Sequence, residues 1–391
     1  MLVQISNEPR DYAWGSTSLI ARLQGRTPSG VPEAEVWFGD HPGSPAVVED
    51  GTGRTLDAWL AEQPSATSKL PFLLKLLAAG SPLSIQVHPS KHQAEEGFER
   101  EEAAGIPRDA GHRNYRDDNH KPELIVAVSD EFEALAGLRP LPATRRLLAT
   151  LRDCPGVRQL TERLSGTDDA VALAGVIGWV LSGEAGSEVD DVIAAVSELK
   201  LDSSHEFARE AQLIGRLQGY YPGDAGIVVA LLMNYVTLSK GEAIFVGAGM
   251  LHAYVSGLGV ELMAASDNVL RGGLTPKHID TEELSRILNT SPIEPPRLVP
   301  SSKDEAIDVF DAGIADFSLT RVRLANTSVV LPISGPAIAL VIDGRVDVSA
   351  SDQSDHHVLS PGMALIASAD EELLHLRSDG DGVVFVATPG R

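Results

Sequence analysis

Hydrophobic and polar positions change texture several times along this 391-residue chain. Up to about residue 135, short apolar runs such as VWFGDHPGSPAVV, LPFLLKLL, LSIQVHP and PELIVAV are separated by Gly, Pro and Asp clusters, the pattern of strands and turns. The charged stretch HQAEEGFEREEAAG predicts an exposed helix, whereas FLLKLLAAG is too short and too uniformly apolar to separate strand from helix. From about 140 to 222, apolar residues recur every three or four positions in TRRLLATLRDC, DAVALAGVIGWVLSG, VDDVIAAVSELKL and HEFAREAQLIGRLQGYY. That spacing predicts four amphipathic helices, with Asp190 and Ser203 or Ser204 as N-caps and the Pro-Gly-Asp after Tyr221 as a stop signal. Strand texture returns from about 235 in YVTLSKGEAIFVGAGMLHAYVSGLGVELMAAS. Beyond the Pro-rich SPIEPPRLVPSS it continues in ALVIDGRVDVSA, HHVLSPGMALIAS and GVVFVAT.

The chain is therefore expected to be mainly β with an α-helical insert, and its length suits two or three domains. The boundaries fall at 1–138 with 223–298 for a split first β domain, 139–222 for the insert, and 299–391 for a second β domain. If the strands on both sides of the insert share one sheet system, residues far apart in sequence can meet.

A net charge of −23, from 55 acidic and 32 basic residues, argues against nucleic-acid or anionic-membrane partners, which require a basic face. It also means that a bound anion would need a local cluster of cations. No run of about 18 apolar residues appears, so no spanning helix is expected. The first residues, MLVQISNEPRDYAWGS, lack the features of a secretory signal. A lone Cys154 rules out internal disulfides and a zinc site built on two cysteines. A cytoplasmic protein, monomeric or weakly homo-oligomeric, is the expectation.

Candidate chemistry concentrates in GSPLSIQVHPSKH, NHKPELIVAV and GEAIFVGAGMLHAY. Gln86 and His88 stand two apart in a β-favouring run, so a strand would turn both to one face. With Glu123 and His252 they form a mixed nitrogen and oxygen set suited to Zn²⁺ or a related first-row divalent metal. Taken singly, each has a plainer reading, since a histidine in an apolar run is more often a satisfied core residue. The spacing Gly80-x₅-Gln86-x-His88 is a variant of the first metal motif of the cupin β-barrels, with Gln in the first His position. Gly241-x₅-Gly247-x-Gly249-x₂-His252 matches the second, with Gly for Pro.

The surrounding words are more specific. YAWGS, FLLKLL, LSIQVHPSK, DDNHKPEL, VGAGMLHAY and SDNVLRGGLTPKHID occur in an order that resembles the type I phosphomannose isomerases, from the N-terminus to about residue 290. Ala265 departs from the Asn that several relatives carry before Ser-Asp-Asn. The resemblance implies a jelly-roll cupin catalytic domain split by the helical domain, followed by a degenerate cupin-like β domain. It also implies one Zn²⁺ per chain, on Gln86, His88, Glu123 and His252, and interconversion of mannose 6-phosphate and fructose 6-phosphate through a cis-enediol. Arg271 would be the catalytic arginine. Lys75, Ser84 and Lys277 would contact phosphate and sugar, and Trp14, His120, Lys121 and Asp267 would line the site. Either His120 or Lys121 is expected to shuttle the proton, with Asp267 and Glu261 as carboxylate alternatives. Another cupin metal enzyme, or a sugar-binding cupin without catalysis, remains the alternative; the neutral Gln86 leans toward non-redox zinc.

Overall fold

The computed structural model describes residues 1–63, 69–302, 304–351 and 355–390. Two sheet systems carry the architecture, one of nine and one of ten strands among the described residues. The first is organised around one long strand, His252–Ala264. Its first part pairs with Ile85–Val87 and Glu131–Leu138, and its second part with Phe72–Ala79 and Glu123–Ala127. The change of partners falls at Gly257, which has φ 115; a Cβ there would lie 2.9 Å from the Glu131 carbonyl oxygen. Only glycine fits such a corner, where the sheet folds over on itself.

The ambiguous FLLKLLAAG resolves as the strand Phe72–Ala79, buried along its whole length. Two environments explain why nearly all of it is apolar. Phe72, Leu74, Leu76 and Ala78 pack against Phe310, Phe317, Ile338, Leu340 and Phe385 of the C-terminal sheet. Leu77 and Ala79 instead join a cluster inside the first sheet system with Ile125, Phe132 and Tyr254. Lys75 lies on that inner side, and strand alternation is therefore what turns it inward.

The helical region contains more helices than its periodicity suggested. Leu141–Leu148, Pro155–Arg163, Asp169–Leu181, Gly186–Ser197 and Ala208–Tyr220 replace the expected four, and Gly226–Leu231 follows beyond the insert's expected end at 222. Pro155 opens a helix of its own, as its fixed φ favours, and divides the segment after TRRLLATLRDC. Asp190 lies inside Gly186–Ser197 rather than capping it, and Ser203 and Ser204 precede a turn before Phe207. The side-chain cap in this region is Asp168, which accepts from the Ala170 and Val171 amides. These helices cover the outer face of the site strands, where Ile85, Val87, Ala253, Val255 and Leu270 share their core.

In the second sheet the order runs Ser301–Ser302, Ile307–Phe310, Ser318–Pro332, Leu373–Thr388, Ala337–Gly344, Ala364–Ala367, Leu2–Ser6, Val47–Val48. The expectation that residues 1–138 fold as one body with 223–298 is thus amended at its start. Leu2–Ser6 pairs with Ala364–Ala367, and Val47–Val48 pairs with Leu2–Ser6, because Leu2, Val3 and Ile5 bury into C-terminal cores. Among the described residues, no single helix is long and apolar enough to cross a membrane.

Candidate metal centre and anion pocket

Strand pairing assembles the site. His252 stands directly opposite Gln86, and Gln86 directly opposite Arg271 on Leu270–Gly273. Directly opposed residues project to the same face, so three strands present Arg271, Gln86 and His252 in one row. Alternation puts Ile85 and Val87 into the helical core and leaves Gln86 on the inner face. His88 follows two positions on, and the amide of Gly249, in the turn before His252, donates to its carbonyl at 2.8 Å. Glu123 begins the strand Glu123–Ala127, across from Met263.

His88, Glu123 and His252 converge, each buried, with one ligand atom apiece lying within 4.8 Å of the others. Nε2 of His88 lies 3.2 Å from Glu123 Oε1, and Nε2 of His252 lies 3.2 Å from Oε2. His88 Nδ1 is 2.7 Å from the Asn268 carbonyl oxygen. A carbonyl only accepts, so Nδ1 carries the proton and Nε2 presents a lone pair. That Nε2 is fully buried and has no hydrogen-bond partner among the described residues. A neutral lone pair facing a carboxylate is repulsive, and a cation between the two relieves it. Burial and the Lys121 ammonium push the His88 imidazole down to about 4, which keeps the ring neutral as a ligand must be. Burial works against the Glu123 charge, but Lys121 and the imidazoles outweigh it and hold the carboxyl well below its ordinary range. Two imidazoles, one carboxylate and the Gln86 amide fit Zn²⁺.

The cavity around this centre is lined by Glu35, Lys75, Gln86, Lys121, Glu123, His252, Tyr254 and Glu261, among others. Lys121 reaches Glu123 Oε1 at 2.8 Å. Lys75 is held by Glu261 at 3.1 Å and Glu35 at 3.4 Å, under the face of Trp37. Burial favours the neutral amine of Lys75, but the two carboxylates prevail and raise its pKa. Burial raises the Glu261 carboxyl, with Glu123 and Glu35 adding to the effect and Lys75 opposing it. Trp14 is half-buried against the cluster of Leu77, Leu83 and Tyr254, and Ser84 is half-buried two positions before Gln86.

Two of the expected residues point elsewhere. His120 Nε2 is 2.8 Å from Asp316, in the segment that leads into the C-terminal sheet. Asp267 is exposed, and its carboxylate lies 3.3 Å from His41. Neither lines the cavity, and Arg271, Lys277, Ser84 and Trp14 lie outside its lining as well. Glu35, Tyr254 and Arg116 are functional candidates that the sequence reading passed over. Tyr254 was signalled by its place two residues after His252 on a strand, and Glu35 by a charge opening an apolar run. Nothing in the pattern marks Arg116. Burial and Arg116 lower the Arg271 pKa, and burial, Arg271 and Arg116 lower that of Lys277. These three cations repel one another, and among the described residues no carboxylate offsets them for Arg271 or Lys277. An anion would satisfy them.

Comparisons with known proteins place the whole chain beside one family. A family model described as phosphomannose isomerase type I, catalytic domain, matches residues 2–141. The mannose-6-phosphate isomerase of Salmonella typhimurium is 33% identical over 390 residues, covering 96% of this chain and 97% of the relative. That of Escherichia coli K12 is 34% identical over 391 residues with the same coverage. A crystal structure of the Salmonella typhimurium enzyme bound to fructose 6-phosphate and zinc superposes with a TM-score of 0.88 at 32% identity, covering all of both chains.

Proposed function

The chain belongs to the type I phosphomannose isomerases, and we propose that Gln86, His88, Glu123 and His252 hold one Zn²⁺ at the centre of its active site. Its reaction is the interconversion of mannose 6-phosphate and fructose 6-phosphate. The observation that carries the zinc assignment is the His88 lone pair, unpartnered among the described residues, facing Glu123, which lines one cavity with Gln86 and His252.

Moving a hydrogen between C1 and C2 removes a proton beside a carbonyl and places negative charge on oxygen, as in a cis-enediol route. Zinc, when bound, supplies a Lewis acid for that oxygen. Arg271, in register with Gln86, presents a fixed guanidinium to the same developing charge. Of the four acid–base candidates, Lys121 and Glu261 line the cavity, and to them we assign the proton transfer. Glu261 suits it because burial holds its carboxyl above the ordinary value, nearer to working pH. Lys121 also keeps Glu123 ionised. Tyr254, 3.3 Å from Glu123 Oε2, fixes that carboxylate from its other side.

For the phosphate we assign Arg116, Arg271, Lys277 and Ser84, with Trp14 packed beside Leu77, Leu83 and Tyr254. Lys75, already paired twice, organises Glu35 and Glu261 instead. The enzyme works in the cytoplasm as a monomer or weak homo-oligomer, without nucleic-acid or membrane partners.

A coupled assay on mannose 6-phosphate, before and after dialysis against a chelator and again after zinc addition, tests this reading. Turnover lost and then restored with zinc is expected. No turnover at full zinc loading would mean a sugar-binding protein instead.

A further inference from the structure

The Pro-Gly-Asp that follows Tyr221 does more than end a helix. The Tyr221 hydroxyl donates to the Pro82 carbonyl at 2.6 Å, in the segment that leads to Ser84 and Gln86. Three residues on, the Asp224 carboxylate accepts from the amides of Gly226 at 2.7 Å, Leu274 at 2.9 Å and Thr275 at 3.0 Å. Asp224 N closes the turn onto the Tyr221 carbonyl at 3.1 Å. One short turn thus grips both strips of chain that carry the anion pocket, the one with Ser84 and the one with Arg271 and Lys277.

The second strip would not adopt its path unaided. Leu274 has φ 54, which is costly for a residue with a branched side chain, and it is buried. Gly273 and Gly226 meet backbone to backbone. A Cβ on Gly226 would lie 2.4 Å from Leu274 N, and one on Gly273 would lie 2.3 Å from Gly226 Cα. The pairing with Ile85–Val87 shifts register between Arg271 and Gly273, so the ladder itself lets go just where the carboxylate takes hold. Thr275 Oγ1 then accepts from Lys277 N at 3.1 Å, passing the constraint on to the outermost cation.

We propose that Tyr221 and Asp224 form a clamp that sets the spacing of the two walls of the phosphate pocket, so that this turn of the helical insert governs affinity for the phosphate end of the substrate. Both are positioning residues and touch no reacting atom. The inference rests on the assignment of Arg271 and Lys277 to phosphate.

The test compares zinc-loaded Asp224→Ala, Asp224→Asn, Tyr221→Phe and Lys277→Ala by steady-state kinetics, with inorganic phosphate as competitive inhibitor. Asp224→Ala is expected to raise both KM and the phosphate inhibition constant about tenfold, with kcat and zinc content nearly unchanged. Asp224→Asn and Tyr221→Phe, which disturb the clamp least, should each raise both constants roughly threefold. If Lys277→Ala raises both constants while the Asp224 and Tyr221 variants leave them alone, the clamp is refuted and the phosphate assignment stands. If Lys277→Ala also leaves them alone, the phosphate assignment itself fails. Should Asp224→Ala not fold, Asp224→Asn and Tyr221→Phe decide. A fall in kcat with zinc loss and no change in KM would mark the turn as merely structural and overturn the proposal.

Discussion

Replacing Lys75 by Met keeps most of the side-chain length and removes the ammonium that Glu261 and Glu35 approach at 3.1 and 3.4 Å. All three groups are buried, so water is poorly placed to substitute. Unit charges at those distances attract by about 5 kcal/mol each at an effective dielectric near 20. Desolvating the ammonium takes several kcal/mol of that gain back. The loss also has a ceiling, because a stranded carboxylate can take up a proton. At pH 7 that uptake costs about 1.4 kcal/mol for each unit above the ordinary value of 4.5, roughly 3.4 kcal/mol for Glu261. Glu261 is the group expected to protonate, since burial already raises it; Glu35 keeps the Trp37 Nε1–H donor at 2.9 Å. The expected destabilisation is therefore about 3 kcal/mol at pH 7. A carboxyl whose pKa is raised by folding binds more protons in the native state, so stability falls as pH rises from the unfolded value toward the folded one. The deficit should be about 2 kcal/mol at pH 6 and grow to about 4 kcal/mol or more at pH 8. Urea denaturation of zinc-loaded wild type and Lys75→Met at the three pH values measures it, and adding Glu261→Gln should recover most of the loss. A deficit under about 1 kcal/mol, or one that is flat from pH 6 to pH 8, would refute the buried-pair reasoning.

Other outcomes follow from the same geometry. Arg271→Ala should lower kcat about a hundredfold or more with zinc content unchanged; metal analysis showing zinc loss would make Arg271 structural. Burial works to raise the Glu133 carboxyl, but Arg216, Ser256 and Tyr235 hold it at about 2, and with Arg216 half-exposed its share is about 1–2 kcal/mol. That stability is complete above the ordinary carboxylate range and is lost as pH falls toward 2, so Arg216→Met should cost more at pH 7 than near pH 3, as paired denaturation midpoints will show. Gly97→Ala places a Cβ 2.4 Å from the buried Tyr115 ring and should destabilise by about 1–3 kcal/mol, read by thermal melting.

Period-two patterning made Gln86 and His88 legible as a pair, because a strand turns both to one face. His252 could be reached only through motif spacing and Glu123 only through the phrase around it, since the pairings that bring them together join strands more than a hundred residues apart. FLLKLLAAG could not be resolved locally, because its two faces bury against different partners, one of them in the C-terminal sheet. The proton-shuttle candidates illustrate a different limit. His120 and Lys121 are consecutive, and an extended segment sends neighbours to opposite sides. Lys121 shares its face with Glu123, two positions on, which leaves His120 to meet Asp316. The same alternation separates exposed Asp267 from buried Asn268, whose carbonyl fixes the His88 tautomer. A motif names a neighbourhood; the backbone decides which member of a consecutive pair enters the site.

The cations themselves show which end of the substrate lies where. In a chain of net charge −23, a free positive group near a cavity is unusual, and the site basic residues fall into two sets. Lys75 and Lys121 are inside, and each is bound to carboxylates at 2.8 to 3.4 Å. A phosphate dianion brought to Lys75 would meet Glu35 and Glu261 as well, and their repulsion would cancel the attraction. Arg271 and Lys277 are depressed by burial and by neighbouring cations, with no carboxylate among the described residues in the balance. A dianion placed among them removes mutual repulsion and gains charge-assisted hydrogen bonds together. The phosphate therefore belongs on the Lys277 side of Arg271 and the reacting carbons on its Gln86 and His252 side, so that the Arg271 guanidinium faces both. That polarity makes a direct demand on experiment: Lys75→Met should leave the inhibition constant of inorganic phosphate within about twofold of wild type, whereas Lys277→Ala should raise it about tenfold. The reverse order would place the phosphate inside and undo the argument.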